Sequence, residues 1–145
     1  MSKERAKGTA FETAVVRCLR SAGYDSAHRN ALKGACDEGD ISGVVLNGTV
    51  VIIECKNEKN YHISDWLSQA LRESLTAGAD AGIVVFHRRG VGFDSITGTL
   101  KQPVLMTLGD LLAIADGAQV EYTDALKRVV EVVEEAIEEI KDKER

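Results

Sequence analysis

Between Thr9 and Ala22 the apolar residues Phe11, Ala14, Val15, Cys18 and Leu19 return at steps of three and four. That period predicts an amphipathic helix, and Gly23 supplies its stop. Residues 25–39 are small and polar and predict a loop. Ile41–Leu46 and Thr49–Cys55 are β-branched runs separated by Asn47-Gly48. Asn-Gly predicts a two-residue hairpin, because both central positions of that turn need positive φ. The nearly unbroken Val50–Ile53 reads as a central strand covered on both faces. After polar Asn57–Ile63 comes a predicted helix from Ser64, as N-cap, to Ala77, with Trp66, Leu67, Ala70, Leu71 and Leu75 as its inner stripe. Ala81–Phe86 predicts a further buried strand, brought into the same sheet by a right-handed crossover.

His87–Gly98 reads as a loop, Val104–Met106 as an edge strand after Pro103, and Thr107 or Leu108 to Ala115 as a short helix. Asp124–Ile140 predicts a long helix with Leu126, Val129, Val130, Val133, Ile137 and Ile140 on one side and glutamates on the other. That stripe is read as cover for the core, with dimerisation as the alternative. The order αββαβ(β)αα describes one α/β domain with a mixed sheet. Residues 1–120 carry it, and residues 121–145 form an acidic amphipathic helix that belongs to it or dimerises it.

Composition narrows the class. The 145 residues are 44% hydrophobic and 28% charged, which excludes a mostly disordered chain. No apolar run approaches the roughly 18 residues that predict a membrane span. The charged start Met1–Lys7 has no apolar signal segment, so a cytoplasmic setting is expected, in a bacterium, an archaeon or a virus-infected host. Cys18, Cys36 and Cys55 match no zinc spacing and are expected to pack as small hydrophobes. The net charge of −5 is unevenly spread: residues 1–35 hold seven basic and three acidic residues, residues 121–145 five basic and nine acidic. A basic front end permits a phosphate-binding face.

The chemistry sits around the hairpin. Glu54 and Lys56, two apart on a strand, share a face, and Cys55 points away. Counting from the Asn-Gly turn, Asp40 lies seven residues back and Glu54 six forward. They pair to within about one residue of register, a mismatch that a bulge absorbs. Two neighbouring carboxylates call for a cation, and hard oxygen ligands select Mg²⁺ or Mn²⁺. The bland alternative is an ion pair at a sheet edge. The apolar run before Glu54 weighs against it, since an ionised carboxylate there is costly without compensation.

These residues resemble the PD-(D/E)XK nuclease superfamily, whose signature is an acidic residue, a spacer and then (Asp/Glu)-x-Lys on a neighbouring strand. Gly39-Asp40 stands where that family has Pro-Asp, and Glu54-Cys55-Lys56 is the E-x-K. Within the superfamily the chain is most similar to archaeal-type Holliday junction resolvases. Lys7-Gly8-Thr9-Ala10-Phe11-Glu12, Gly23-Tyr24, Gly39-Asp40-Ile41 and Ile53-Glu54-Cys55-Lys56-Asn57 carry the likeness. Motif identity is confined to residues 7–57, while element order is alike over roughly residues 7–115.

The resemblance implies a restriction-endonuclease-like αβββαβ core with a mixed sheet and C-terminal helices. It implies that Asp40 and Glu54 ligate Mg²⁺, replaceable by Mn²⁺, with the backbone carbonyl of Cys55 as a further ligand. Glu12 completes the cluster directly or through water, and Lys56 orients the attacking water or stabilises developing charge. The departures are Gly39 in place of proline and a basic loop, 29–35, without serine. Gln69 matches a polar helix position and is an auxiliary candidate.

Lys7, Arg29 and Lys33 lie near the site in sequence and are expected on the DNA backbone, as are Arg88 and Arg89 after a strand end. Asp37 and Glu38 read as solvated loop charges, His62 as inert and Trp66 as core. For Glu12 the alternative is ordinary first-turn helix charge. The function expected is a Mg²⁺-dependent endodeoxyribonuclease, structure-selective for branched DNA and homodimeric, with no organic cofactor and no membrane. Cleavage of flap, single-stranded or duplex DNA is the near alternative. A non-cleaving nucleic-acid-binding module of the same fold is the distant one.

Overall fold

The computed structural model describes residues 2–31, 37–117 and 120–144, and for residues 120–128 the backbone alone. Lys33 and Cys36 lie outside the described residues. The first helix, α1 (Lys3–Ser21), begins six residues before its apolar stripe suggests. The side chain of Ser2 caps it by accepting from the Arg5 N–H at 3.2 Å, and Glu4 sits favourably in its first turn. Those first turns are exposed, so they carry no apolar period for the sequence to show. Gly23, at φ 100°, takes the chain out of the helix.

Residues 25–39 are not wholly loop. His28–Arg29 form β1, antiparallel to β2 (Ile41–Leu46). A two-residue strand is made by backbone pairing with a distant partner and has no pattern of its own. β2 turns into β3 (Thr49–Lys56) with Asn47 at φ 51° and Gly48 at φ 77°, both positive as the hairpin turn requires. α2 (Ile63–Thr76) then crosses over to β4 (Ala81–Phe86), which lies parallel to β3. α2 starts at Ile63 rather than capping on Ser64, and His62 holds the cap position without a side-chain hydrogen bond. A four-residue helix, α3 (Ile96–Thr99), interrupts the expected 87–98 loop. β5 (Val104–Leu105) closes the sheet antiparallel to β4. α4 (Leu108–Asp116) is capped by Thr107, and α5 runs from Val120 to Glu144. The result is a five-stranded mixed sheet in the order β1-β2-β3-β4-β5.

Two apolar clusters sandwich that sheet. On one face Phe11, Val15 and Val16 of α1 meet Ile41, Val44, Val51, Ile53, Ile83 and Val85. On the other, Trp66 and Ala70 of α2 pack on Val84, with Phe86 and Leu105 at the margin. β3 is therefore covered on both sides, and alternate residues of Glu54-Cys55-Lys56 face different helices. Cys18 is buried and Cys55 half-buried, both as free thiols.

The inner face of α2 is Trp66, Ala70, Glu73 and Ser74, whereas Leu71, expected inside, is 38% exposed. Of the α5 stripe, Val129, Val133, Ile137 and Ile140 are 46–59% exposed and Val130 is half-buried, while the Leu126 side chain lies outside the described residues. Among the described residues no helix is long and apolar enough to cross a membrane.

The hairpin register is Val44↔Val51 near the turn but Ile41↔Ile53 farther out, so a bulge lies between Ile41 and Val44. Gly43 occupies it at φ 79°, and a Cβ there would overlap the Ser26 carbonyl. Glycine is required twice over, by dihedral angle and by space. Gly43→Ala is expected to destabilise the protein by about 2–3 kcal/mol. Urea unfolding checks this, and a loss below about 0.5 kcal/mol, the size of an ordinary surface change, would mean that the bulge is not constrained.

Candidate active site

Asp40 ends the loop entering β2, and backbone bonds fix it from both sides. Its N–H donates to Ile53 O at 3.0 Å, and its carbonyl accepts from the Asn30 N–H at 2.8 Å. The bulge then turns its side chain so that Oδ2 accepts from the Cys55 N–H at 2.8 Å. Gly39 precedes it at φ 89°, an angle that a proline ring forbids. Gly39 thus sets the backbone route into the aspartate. Asn30 holds that route by donating to Gly39 O at 3.0 Å and Ser42 Oγ at 2.7 Å.

Glu54 and Lys56 face α2. Lys56 Nζ lies 3.1 Å from Glu54 Oε1 and donates to Gln69 Oε1 at 2.7 Å. The Gln69 amide nitrogen donates to Glu54 Oε1 at 3.0 Å and to Glu73 Oε1 at 2.8 Å. Both N–H groups of the amide are therefore spent on carboxylates, which leaves its oxygen aimed at the lysine. Glu54 and Glu73 are each only 4% exposed, and the Oε2 atom of each is buried with no donor beside it. Burial of two neighbouring carboxylates favours their protonated forms.

Burial raises the pKa of Asp40 to about 7, assisted by the charge of Glu54; the Cys55 N–H bond opposes the rise. Glu54 is pushed up to about 8, first by burial and then by its hydrogen bond to Glu73, against the pull of Lys56. Glu73 is raised too, by burial. Burial among Asp40, Glu12 and Glu54 drives the Cys55 thiol well above its ordinary value, so that side chain is a packing group.

Asp40, Glu54, Lys56 and Gln69 thus meet at one end of β3. Glu12 stands on the α1 side, where its charge acts on Asp40, but its carboxylate is paired with Arg29 Nε at 2.8 Å. Arg29 accordingly offsets the charge of an acid of the cluster through Nε, while its side chain stays 39% exposed. Lys7 and Arg89 share a notch beyond Lys56, and Arg88 is exposed next to them. Glu73 is absent from the sequence reading. One signal for it exists: it follows Gln69 by one helical turn and shares a face with Trp66 and Ala70.

Among the described residues no group of three or more His, Cys, Asp and Glu side chains is arranged to hold a metal ion. The donors that do fit one are Asp40 and Glu54, neighbouring carboxylates of which Glu54 keeps a buried oxygen without a donor. Mg²⁺ is commonly held by one or two carboxylates, with water and phosphate oxygens filling its other positions.

Raised carboxyl pKa values set the direction of a pH response. The folded chain holds these protons more tightly than the unfolded one, so stability falls as pH climbs from about 4 through about 8. In chelator, the urea midpoint is expected to drop across that range, and Asp40→Asn combined with Glu54→Gln to flatten the slope. A wild-type midpoint that is level or rising over it would contradict the raised values.

Comparison of the chain with protein-family models, with curated proteins and with solved structures gives no match.

Proposed function

We propose that the chain is a metal-dependent DNA endonuclease with a restriction-endonuclease-like core, selective for branched DNA in the manner of the junction resolvases it resembles. One observation carries this reading. An Asn-Gly hairpin with a glycine bulge brings Asp40 to the Cys55 N–H and seats Glu54 beside an ordered Lys56. The succession α1, β1, β2, β3, α2, β4 supports it, being the αβββαβ order that the resemblance implies. A protein that only binds phosphate gains nothing from buried acids turned toward its ligand.

Asp40 and Glu54 would hold Mg²⁺ or Mn²⁺, with the Cys55 carbonyl, and with Glu12 directly or through water. Such an ion, when bound, lowers the pKa of a water and offsets charge gathering on the phosphate. Glu54 must first surrender the proton it holds near neutral pH, and Glu73, hydrogen-bonded to it, is the adjoining acceptor. Lys56 supplies the ammonium that orients the nucleophilic water and stabilises the pentacovalent charge. Gln69 and Glu54 fix that ammonium in place, so little reorganisation accompanies the reaction. Recognition of shape and backbone suits a chain whose described residues form no base-reading module. A homodimer would present two such sites for paired cuts, and the exposed stripe of α5 offers an apolar face for a second copy.

The test is cleavage of four-way junction, flap, duplex and single-stranded DNA with Mg²⁺. Asp40→Asn, Glu54→Gln and Lys56→Ala are each expected to lower the rate at least about 100-fold, while junction binding in Ca²⁺ persists. Wild-type binding without cleavage of any form would leave a non-cleaving module. A Lys56→Ala protein cutting at full rate would remove the role given to that lysine.

A further inference from the structure

β3 and β4 run parallel and finish together, at Lys56 and Phe86, and the His87 N–H donates to Lys56 O at 2.8 Å. Just past these strand ends lies a notch of about 260 Å³ lined by Lys7, Asn57, Lys59, Tyr61, His87 and Arg89, together with Glu58 and Gly90. The carboxyl ends of parallel strands are where open α/β sheets take their ligands. Lys59 and Tyr61 belong to a segment that the sequence shows only as polar.

The notch is built rather than incidental. Arg89 Nη2 donates to Lys59 O at 2.8 Å and the Arg89 N–H to Tyr61 Oη at 3.3 Å. Tyr61 Oη donates in turn to His87 O at 3.1 Å, and Asn57 Nδ2 to Lys7 O at 3.4 Å. Ring packing sets the walls: Tyr61 lies against Trp66 and Phe86, and His87 against Phe11 and Phe93. Three elements, α1, the turn after β3 and the turn after β4, are thereby tied around one opening.

Its charge points to the ligand. Lys7, Lys59 and Arg89 meet a single acid, Glu58, in a chain of net charge −5. Among the described residues none of these three cations is in an ion pair. Three exposed cations converging on one opening against a single acid raise the local positive potential, which draws an anion. The volume lies below the roughly 300–1,000 Å³ of sites for drug-sized ligands. That suits one phosphate with its sugar.

We propose that this notch is a phosphate subsite, gripping the nucleic-acid strand next to the phosphodiester presented to Asp40, Glu54 and Lys56. The assignment of a strand as the ligand rests on the nuclease reading; the notch's affinity for a phosphate backbone does not. Lys7 and Arg89 act in it together with Lys59, whereas Arg88, one residue away, lies outside it.

Anisotropy of a labelled oligonucleotide and a labelled four-way junction, measured in chelator so that no cleavage occurs, tests this. Lys59→Ala, Lys7→Ala and Arg89→Lys are each expected to weaken binding about three- to tenfold, with Lys59→Glu stronger. The two alanine variants should each lower the salt slope by about one. Lys101→Ala, an exposed cation outside the notch, is the control and should change affinity less than twofold. Unchanged affinity and slope in well-folded Lys59→Ala and Lys7→Ala proteins would overturn the subsite, as would a Lys101→Ala loss equal to that of Arg89→Lys. Inorganic phosphate or a mononucleotide competing as well as the oligonucleotide would overturn the strand as its ligand. The nuclease reading fails separately, if these variants behave as expected but the wild-type protein cuts nothing with Mg²⁺.

Discussion

Two glutamates and a lysine lie largely buried between a β-sheet and one helix, and the structure is arranged around making that tolerable. Lys56 sits 3.1 Å from Glu54 and 2.7 Å from Gln69, and Gln69 links Glu54 to Glu73. Taken singly, each of these charges would cost several kcal/mol to remove from water. Taken together, one ammonium and one amide satisfy one oxygen of each glutamate. What remains unsatisfied is one oxygen on each of Glu54 and Glu73. Replacing such a group with apolar residues would be expected to stabilise the fold, so its presence argues for chemistry over architecture.

The hairpin delivers the other half of the site. An ideal two-residue turn would carry the Val44↔Val51 register straight through to Asp40. The bulge at Gly43 shifts it, and Asp40 arrives with its carboxylate on the Cys55 N–H. Gly39 and Gly43, both with positive φ, flank the aspartate by one and three residues, so backbone conformation aims this side chain as much as packing does. On the opposite face of the sheet, Arg29 of the two-residue β1 holds Glu12. A short edge strand thus serves chiefly to place a counter-ion.

Beyond the acid cluster the same strand ends open onto a basic notch. The polarity changes over a few residues, from Glu54 through Lys56 to Lys59, and follows the chain as it leaves the sheet. Under the proposed nuclease function, the acidic centre would hold the divalent ion and the basic notch the phosphate backbone. The two regions share walls, since His87 and Tyr61 are packed against the residues that support β3 and β4.

Local order was legible wherever a residue's neighbours in sequence are also its neighbours in space. Ile41–Leu46 and Ala81–Phe86 coincide with their strands, and Asn47-Gly48 is the turn it announces. Asp40, Glu54 and Lys56 could be brought together from hairpin counting alone, and Gln69 from the resemblance. The tertiary structure decided what depends on partners far along the chain. β1 exists because β2 offers it backbone bonds, and Arg29 is spent on an acid 17 residues away. Glu73 is buried because Gln69 and Glu54 receive it, although by residue type it belongs outside. Val129, Val133, Ile137 and Ile140 of α5, apolar enough to suggest core cover, are exposed, and both faces of the sheet are occupied by α1 and α2. Periodicity fixes which side of an element is apolar; only the packed chain determines whether anything lies against that side.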